Sequence, residues 1–288
     1  MDAHGHHHHH HHHHGPEHND GLAELLELDA EVLHTYHAGI AGWVRSEGPE
    51  SAKVIVDLGA GTGAGTLLLL EQFPGAHVVA VDADPAMLQR LAANAAARGA
   101  GERVTTVHAD LDTAWPTGLQ AADVVWAANS MHHMADPQRV LRDILAALSP
   151  GGVLALAELD TFPRFLPDEL GVGRPGLESR AHEAMARRRE VDMPFMYADW
   201  SLALAKAGFE VRAERRFEVT LPAPLPPAGV RYARTSLRRI RDGLAESLDP
   251  DDVAALDALL DEHGPQSLTR RDDLTVRAAR TVWIAARP

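Results

Sequence analysis

The chain has no cysteine in 288 residues, which removes disulfide frameworks, thiolate metal sites and cysteine nucleophiles. Aromatic residues make up only 5%, too few for a platform that stacks bases. Lysine is almost missing: Lys53 and Lys206 are the only two among 27 basic residues. No apolar run approaches the roughly 18 residues of a membrane-spanning helix. Net charge is −14, and such a surface repels a polyphosphate backbone, which argues against nucleic acid as a partner. Three catalytic signatures are missing as well. There is no GxxxxGK phosphate loop and no GxSxG nucleophile elbow, and His182-Glu183 opens a zinc-protease pattern that Ala186 breaks.

What is present is the balance of a folded protein, 45% hydrophobic and 24% charged. Residues 1–18 read as a tag segment outside the fold, since His6 to His14 is an unbroken polyhistidine run. No secretory signal follows, which predicts a cytoplasmic location. Residues 19–49 form a helical cap, with apolar residues at helical spacing from Leu22 to Val44 and a stop at Gly48-Pro49. Strand and helix signals then alternate: strands at 53–58, 77–82, 103–109, 122–128 and 153–159, helices at 66–72, 85–98 and 137–148. This alternation predicts a doubly wound α/β core over 50–160 with a mostly parallel sheet. Ligands in such sheets bind beyond the carboxyl ends of the strands.

The first strand runs into VIVDLGAGTGAG, residues 54–65. Glycines at 59, 61 and 63 let the backbone take positive φ and approach a ligand closely. The helix that follows presents N–H groups to an anion. Gly59-x-Gly61-x-x-Ala64 loosely fits a dinucleotide fingerprint, and Asp82, 21 residues beyond Gly61, suits a ribose in either case. Asp57 separates the two ligands. A carboxylate two residues before the first glycine repels a pyrophosphate but suits an ammonium and a nearby sulfonium. S-adenosylmethionine carries both, with a carboxylate for the helix N-terminus. The competing role for Asp57 is that of a turn cap.

With these residues in view, the chain resembles class I S-adenosylmethionine-dependent methyltransferases of the small-molecule type. The resemblance rests on five segments in order: VIVDLGAGTG (54–63), VVAVDADPAML (78–88), VHADLD (107–112), ADVVWAANSMHHMADP (122–137) and LSPGGVLALAE (148–158). It implies a seven-stranded sheet ordered 3-2-1-4-5-7-6. It also implies that Gly59, Gly61 and Gly63 floor the methionine part of the cofactor, that Asp57 holds its amine, and that Asp82 accepts its ribose hydroxyls. Asp110 and the Leu111 backbone would meet adenine, Ala83 and Met87 would pack on it, and Asn129 would lie along the methionine moiety. The product would be S-adenosyl-L-homocysteine.

His132 and His133, just after the fourth strand, are the candidate general bases, because imidazole titrates near neutrality. In this family such a pair often serves the fold. Tyr36 and His37 on the cap, Glu158 and Asp160 at the end of the fifth strand, and Phe195 and Tyr197 are candidate substrate contacts. Alternation places Glu158 and Asp160 on one face. Phe162, Phe165, Met196 and Trp200 are further candidate walls. No set of acids and amides assembles into a metal site.

Residues 161–288 complete the core and carry two lid-like insertions, about 161–207 and 221–273. Residues 161–241 hold 15 basic against 10 acidic side chains, in clusters such as 187–189 and 238–241. They are either solvated helix faces or a mouth for an anionic substrate. The expected activity is methyl transfer to O, N or C of a small organic molecule by a monomer or homodimer. The arginine and alanine bias suggests a GC-rich bacterium, with natural-product tailoring as a setting. The alternatives are methylation of a peptide, protein or RNA, a nicotinamide-dependent oxidoreductase, and a cofactor-binding protein without catalysis.

Overall fold

The computed structural model describes residues 16–288. The polyhistidine run lies outside the described residues. Positions 16–18, set aside with it, open the first helix instead, α1 (Pro16–Val32). The cap is two helices rather than one. The chain leaves helical geometry at Leu33, and α2 (His34–Glu47) then runs to Gly48, whose N–H closes on the Val44 carbonyl.

The core alternates as the sequence predicts: β1 (Val54–Leu58), α3 (Ala64–Gln72), β2 (His77–Asp82), α4 (Pro85–Ala97), β3 (Val104–His108), β4 (Ala122–Ala128), α5 (Pro137–Ala147) and β5 (Leu148–Arg164). Helices α4 and α5 start with an Asp side chain accepting a backbone N–H and a Pro in the first turn, Asp84-Pro85 and Asp136-Pro137. After β5 come α6 (Leu177–Asp192), α7 (Trp200–Ala207), β6 (Glu210–Leu221), α8 (Pro227–Leu244), α9 (Pro250–Leu260) and β7 (Val276–Ala286).

The seven strands lie in the order β3-β2-β1-β4-β5-β7-β6. The first five are parallel, and β7 runs antiparallel between β5 and β6. The central strands are buried on both sides, which is why VIVDL and ADVVWAA read as near-continuous apolar runs. One core cluster lies under α5 and α7 and another under α2 and α3. A third, built on Phe165, Tyr232 and Leu256, unites α1, α8 and α9 into a separate helical layer.

Two expectations change here. Helix α7 packs Trp200 and Leu204 into the sheet core, so the segment 161–207 is an insertion only as far as α6. Strand β5 extends to Arg164, well beyond 159, because β7 continues to pair with it through register shifts after Leu159 and Thr161. Among the described residues no helix is long and apolar enough to cross a membrane.

Candidate active site

The carboxyl ends of β1 and β4 open into one cavity of about 1040 Å³. Its floor is the turn after β1. Gly59, Gly61 and Gly63 all take positive φ, at 69°, 53° and 91°. A Cβ at Gly59 would sit 2.5 Å from Ser130 Cβ, and one at Gly63 2.7 Å from Leu91 Cγ. A Cβ at Gly61 would meet only Leu26 Cδ1, at 3.3 Å. The outer two glycines therefore serve close packing, whereas the middle one keeps the cavity clear. Gly65 belongs with them: a Cβ there would approach Trp126 Nε1 to 2.8 Å. The turn is held down by the Val81 carbonyl, which accepts from Gly59 and Ala60 N–H at 2.8 and 3.1 Å.

Asp57 lines this floor and is 2% exposed. Thr66 Oγ1 donates to its Oδ2 at 2.6 Å. Burial pushes its carboxyl up to about 7, against the lowering effect of that hydrogen bond. A carboxylate so short of solvation gains most from a cation placed beside it. Asn129 adds a second feature. It holds a left-handed φ of 52°, rare for a side chain larger than glycine, and its Oδ1 is buried without a partner. The donor set, an acid and an orphaned amide oxygen above a glycine floor, fits the ammonium end of S-adenosylmethionine.

Asp82 fixes the same turn from the β2 side. Its Oδ2 accepts from Gly61 N–H at 2.8 Å and its Oδ1 from Asp84 N–H at 2.9 Å. Each oxygen keeps a lone pair. Burial raises its pKa over the effect of those hydrogen bonds. The adenine candidates lie off the cavity. Asp110 is exposed and caps its own turn, accepting from Asp112 N–H and Thr113 Oγ1 at 2.9 and 3.1 Å. Leu111 and Met87 are buried, and neither they nor Ala83 lines the cavity. What places these residues near Asp82 is register, with Asp82 opposite His108 in the β2–β3 pair.

His132 and His133 both line the cavity. His132 is 4% exposed and its Nδ1 lies 2.5 Å from Glu158 Oε2, while Glu158 Oε1 accepts from Met131 N–H at 3.1 Å. Glu158 therefore orients an imidazole and does not face substrate. Asp160 lies on the same face, as alternation places it, but it points across β7 to β6, accepting from Thr281 Oγ1 at 2.8 Å and Arg216 Nε at 2.7 Å, and does not line the cavity. His133 is held down to about 4 by burial and by the neighbouring His132 and Arg189. Among the described residues no group of three or more His, Asp or Glu side chains could hold a metal.

The roof comes from α1, α2, α6 and α8. His37 reaches the cavity and Tyr36 does not; the Tyr36 hydroxyl donates to the Phe217 carbonyl at 3.1 Å. Phe162 and Met196 are walls, whereas Phe165 and Trp200 are core, Phe195 packs against the core, and Tyr197 is exposed. A buried network went unseen in the sequence. Asp29 accepts from His37 Nε2 at 2.7 Å, Tyr232 Oη at 2.6 Å and Arg280 Nη2 at 3.3 Å, and Arg280 Nη1 lies 2.9 Å from His37 Nδ1. Burial opposes the charge of Asp29, but Arg280 and the hydrogen bonds from His37 and Tyr232 hold its carboxyl well below the usual range. Only the helical spacing of Asp29 and His37 was available to signal it.

A fold of this strand order with an acid-and-glycine floor defines a nucleoside-cofactor enzyme of the methyltransferase class. A family model described as "Methyltransferase domain" matches residues 55–152. A trans-aconitate 2-methyltransferase of Azoarcus sp. (strain BH72) is 32% identical over 229 residues, covering 77% of this chain and 83% of that protein. The chain belongs to the class I S-adenosylmethionine-dependent methyltransferases. A trans-aconitate 2-methyltransferase of Variovorax paradoxus (strain S110) is 39% identical over 110 residues, covering 38% of this chain and 39% of that protein. That match spans about two fifths of the relative's length. The YcgJ protein of Bacillus subtilis shares the fold with a TM-score of 0.54 at 14% identity, covering 87% of this chain and 99% of that one.

Proposed function

We propose that this chain transfers the methyl group of S-adenosylmethionine to an oxygen, nitrogen or carbon of a small organic molecule. The observation that carries this reading is a single cavity of about 1040 Å³ running from the Asp57–Gly61 floor to a helical roof. Its size suits a cofactor with a small substrate. A lid of helices over the donor end disfavours a peptide or RNA strand. The buried Asp57 disfavours the pyrophosphate of a nicotinamide cofactor.

S-adenosylmethionine supplies an activated methyl group whose leaving group needs no acid. The residues then have these parts. Asp57 and Asn129 hold the amine, Gly61 leaves room for the methionine chain on a turn that Gly59 and Gly63 let pack closely, and Asp82 takes the ribose. Asp110, Leu111, Ala83 and Met87 are assigned to adenine by their place beside Asp82 in the chain and in the β2–β3 register, outside the cavity itself. Glu158 fixes His132, which serves as base when the accepting atom carries a proton, and His37 closes the cavity from the cap. Alignment and exclusion of water supply most of the rate. The relatives named for trans-aconitate favour a compact substrate, and a cytoplasmic location and a monomer or homodimer go with this reading.

Calorimetry on the full chain tests it. S-adenosylhomocysteine is expected to bind and NADH is not, and labelled S-adenosylmethionine is expected to pass its methyl group to a small acceptor. Binding of NADH with no response to S-adenosylhomocysteine overturns the proposal.

A further inference from the structure

His132 stands in the turn after β4, three positions beyond Asn129, and lines the cavity. Glu158 Oε2 holds its Nδ1 at 2.5 Å, and the other Glu158 oxygen is fixed by Met131 N–H. His132 Nε2 has no hydrogen-bond partner among the described residues, and unlike Asn129 Oδ1 it is not sealed in, so it opens into the cavity. With Nδ1–H given to the carboxylate, Nε2 carries a lone pair. The same carboxylate stabilises the imidazolium that forms when Nε2 takes a proton. The His133 ring lies 4.2 Å away; burial, His132 and Arg189 hold it down to about 4, so it is the weaker base.

Away from the glycine floor the wall turns apolar. Leu159 and Phe162 of β5 line it together with Met185 of α6 and, just after that helix, Met193 and Met196. The Arg189 guanidinium lies 3.7 Å over the Phe162 ring. Thioether side chains pack well against a flat ring. Net charge does not mark out this wall. Six acids and six arginines line the whole cavity, and Asp29–Arg280, Asp192–Arg188 and Glu262–Arg234 are ion pairs within that set. The balance favours neither an anion nor a cation.

The acceptor atom follows from what the dyad can do. A carboxylate is already without its proton at neutral pH and has no use for a base. An ammonium would bring a positive charge up to the sulfonium, which repels it. An aliphatic hydroxyl holds its proton too tightly for imidazole. A phenol, at about 10, lies within reach of an imidazole at about 6.5 that a carboxylate supports. We infer that the acceptor is a neutral aromatic molecule with a phenol-type hydroxyl, and that Glu158 is the positioning residue that aims His132 Nε2 at that hydroxyl. This rests on the methyl-transfer reading and gives that reading its acceptor atom and substrate class. The acceptor oxygen bonds to the methyl carbon, the carbon–sulfur bond breaks with its electron pair left on sulfur, and the hydroxyl proton passes to His132 Nε2.

The test is calorimetry and visible absorption on the full chain saturated with S-adenosylhomocysteine, with 4-nitrophenol, 4-nitroanisole and 4-nitrobenzoate as probes. The phenol is expected to bind about tenfold more tightly than the benzoate, and more tightly than the ether. Its coloured phenolate is expected at a pH about 1 lower than in free solution, because His132 takes the proton. His132→Gln and Glu158→Gln are expected to return the phenolate to its free pH with unchanged affinity for S-adenosylhomocysteine. Glu158→Asp, which keeps the carboxylate, should fall between. Labelled S-adenosylmethionine should methylate the phenol and not the benzoate. Failure of the phenol to bind, equal binding of phenol and ether, preference for the benzoate, or an undisplaced phenolate overturns the inference. So does a displaced phenolate that both glutamine variants keep. Should those variants fail to fold, the three probes on the parent chain decide. Failure of S-adenosylhomocysteine itself to bind overturns the cofactor reading, which the other outcomes leave standing.

Discussion

The two ends of the cavity are built by opposite means. The floor comes from one stretch of twelve residues, 54–65, and works through backbone: three positive φ angles, a pair of N–H bonds to Val81, and a single buried acid. The roof gathers Asp29, His37, Tyr232 and Arg280 from the whole length of the chain, and works through long charged side chains. A backbone-made site tolerates few side chains but keeps its shape. A side-chain-made site can be rewritten one residue at a time. On the methyl-transfer reading, the floor serves the constant ligand and the roof the variable one.

This contrast can be broken at several points, beginning with the largest effect. Asp29→Ala leaves Arg280 buried and unpaired, and should cost about 3–5 kcal/mol of stability, read by denaturant melting. A cost under about 1 kcal/mol would show that the roof does not depend on its charge network. Gly59→Ala forces a Cβ onto Ser130 at positive φ and should cost about 1–3 kcal/mol. Gly61→Ala, which meets only Leu26, should lose ligand affinity more than stability. Equal melting points for the two would erase the division between packing and clearance.

Asp57→Asn should weaken S-adenosylhomocysteine about tenfold or more. The parent chain should also release a fraction of a proton on binding at about pH 6, because the ligand's ammonium draws down a carboxyl that burial holds near 7. Titration in buffers of different ionisation heat reads this release, which the Asn variant should lack.

The pH slopes have opposite signs at the two ends. Asp57 ionises at about 3.8 unfolded and about 7 folded, so it subtracts stability as pH rises through that interval. His182, on α6, is held at about 4 by burial and by Arg164, Arg189 and Arg277, against an ordinary 6.5. The unfolded chain then binds the extra proton, and stability falls as pH drops from 6.5 toward 4. Melting curves of Asp57→Asn and His182→Gln over this range should each lack one slope.

The same division decides what could be read in advance. The alternation of strands and helices, the glycine turn, Asp57 and the His132–His133 pair follow from local pattern, because each depends on residues that are neighbours in the chain, whereas the strand order came with the family resemblance. The extent of β5 did not, since its last residues are strand only through pairing with β7. Nor did the partners of Asp160, which stand 56 and 121 positions further along the chain. Arg280 lies 243 positions from His37, and nothing in either residue's surroundings announces the other. The arginine clusters were visible as charge, but their partners, such as Asp257 for Arg241, needed the helices in place.

Strand β5 carries both Ala157, beside the donor end, and Phe162, under Arg189. Five residues of extended chain span about 16 Å. One continuous piece of backbone thus works as a ruler between the two ends. It sets an upper length for any acceptor that must touch both, whatever the surrounding helices come to recognise.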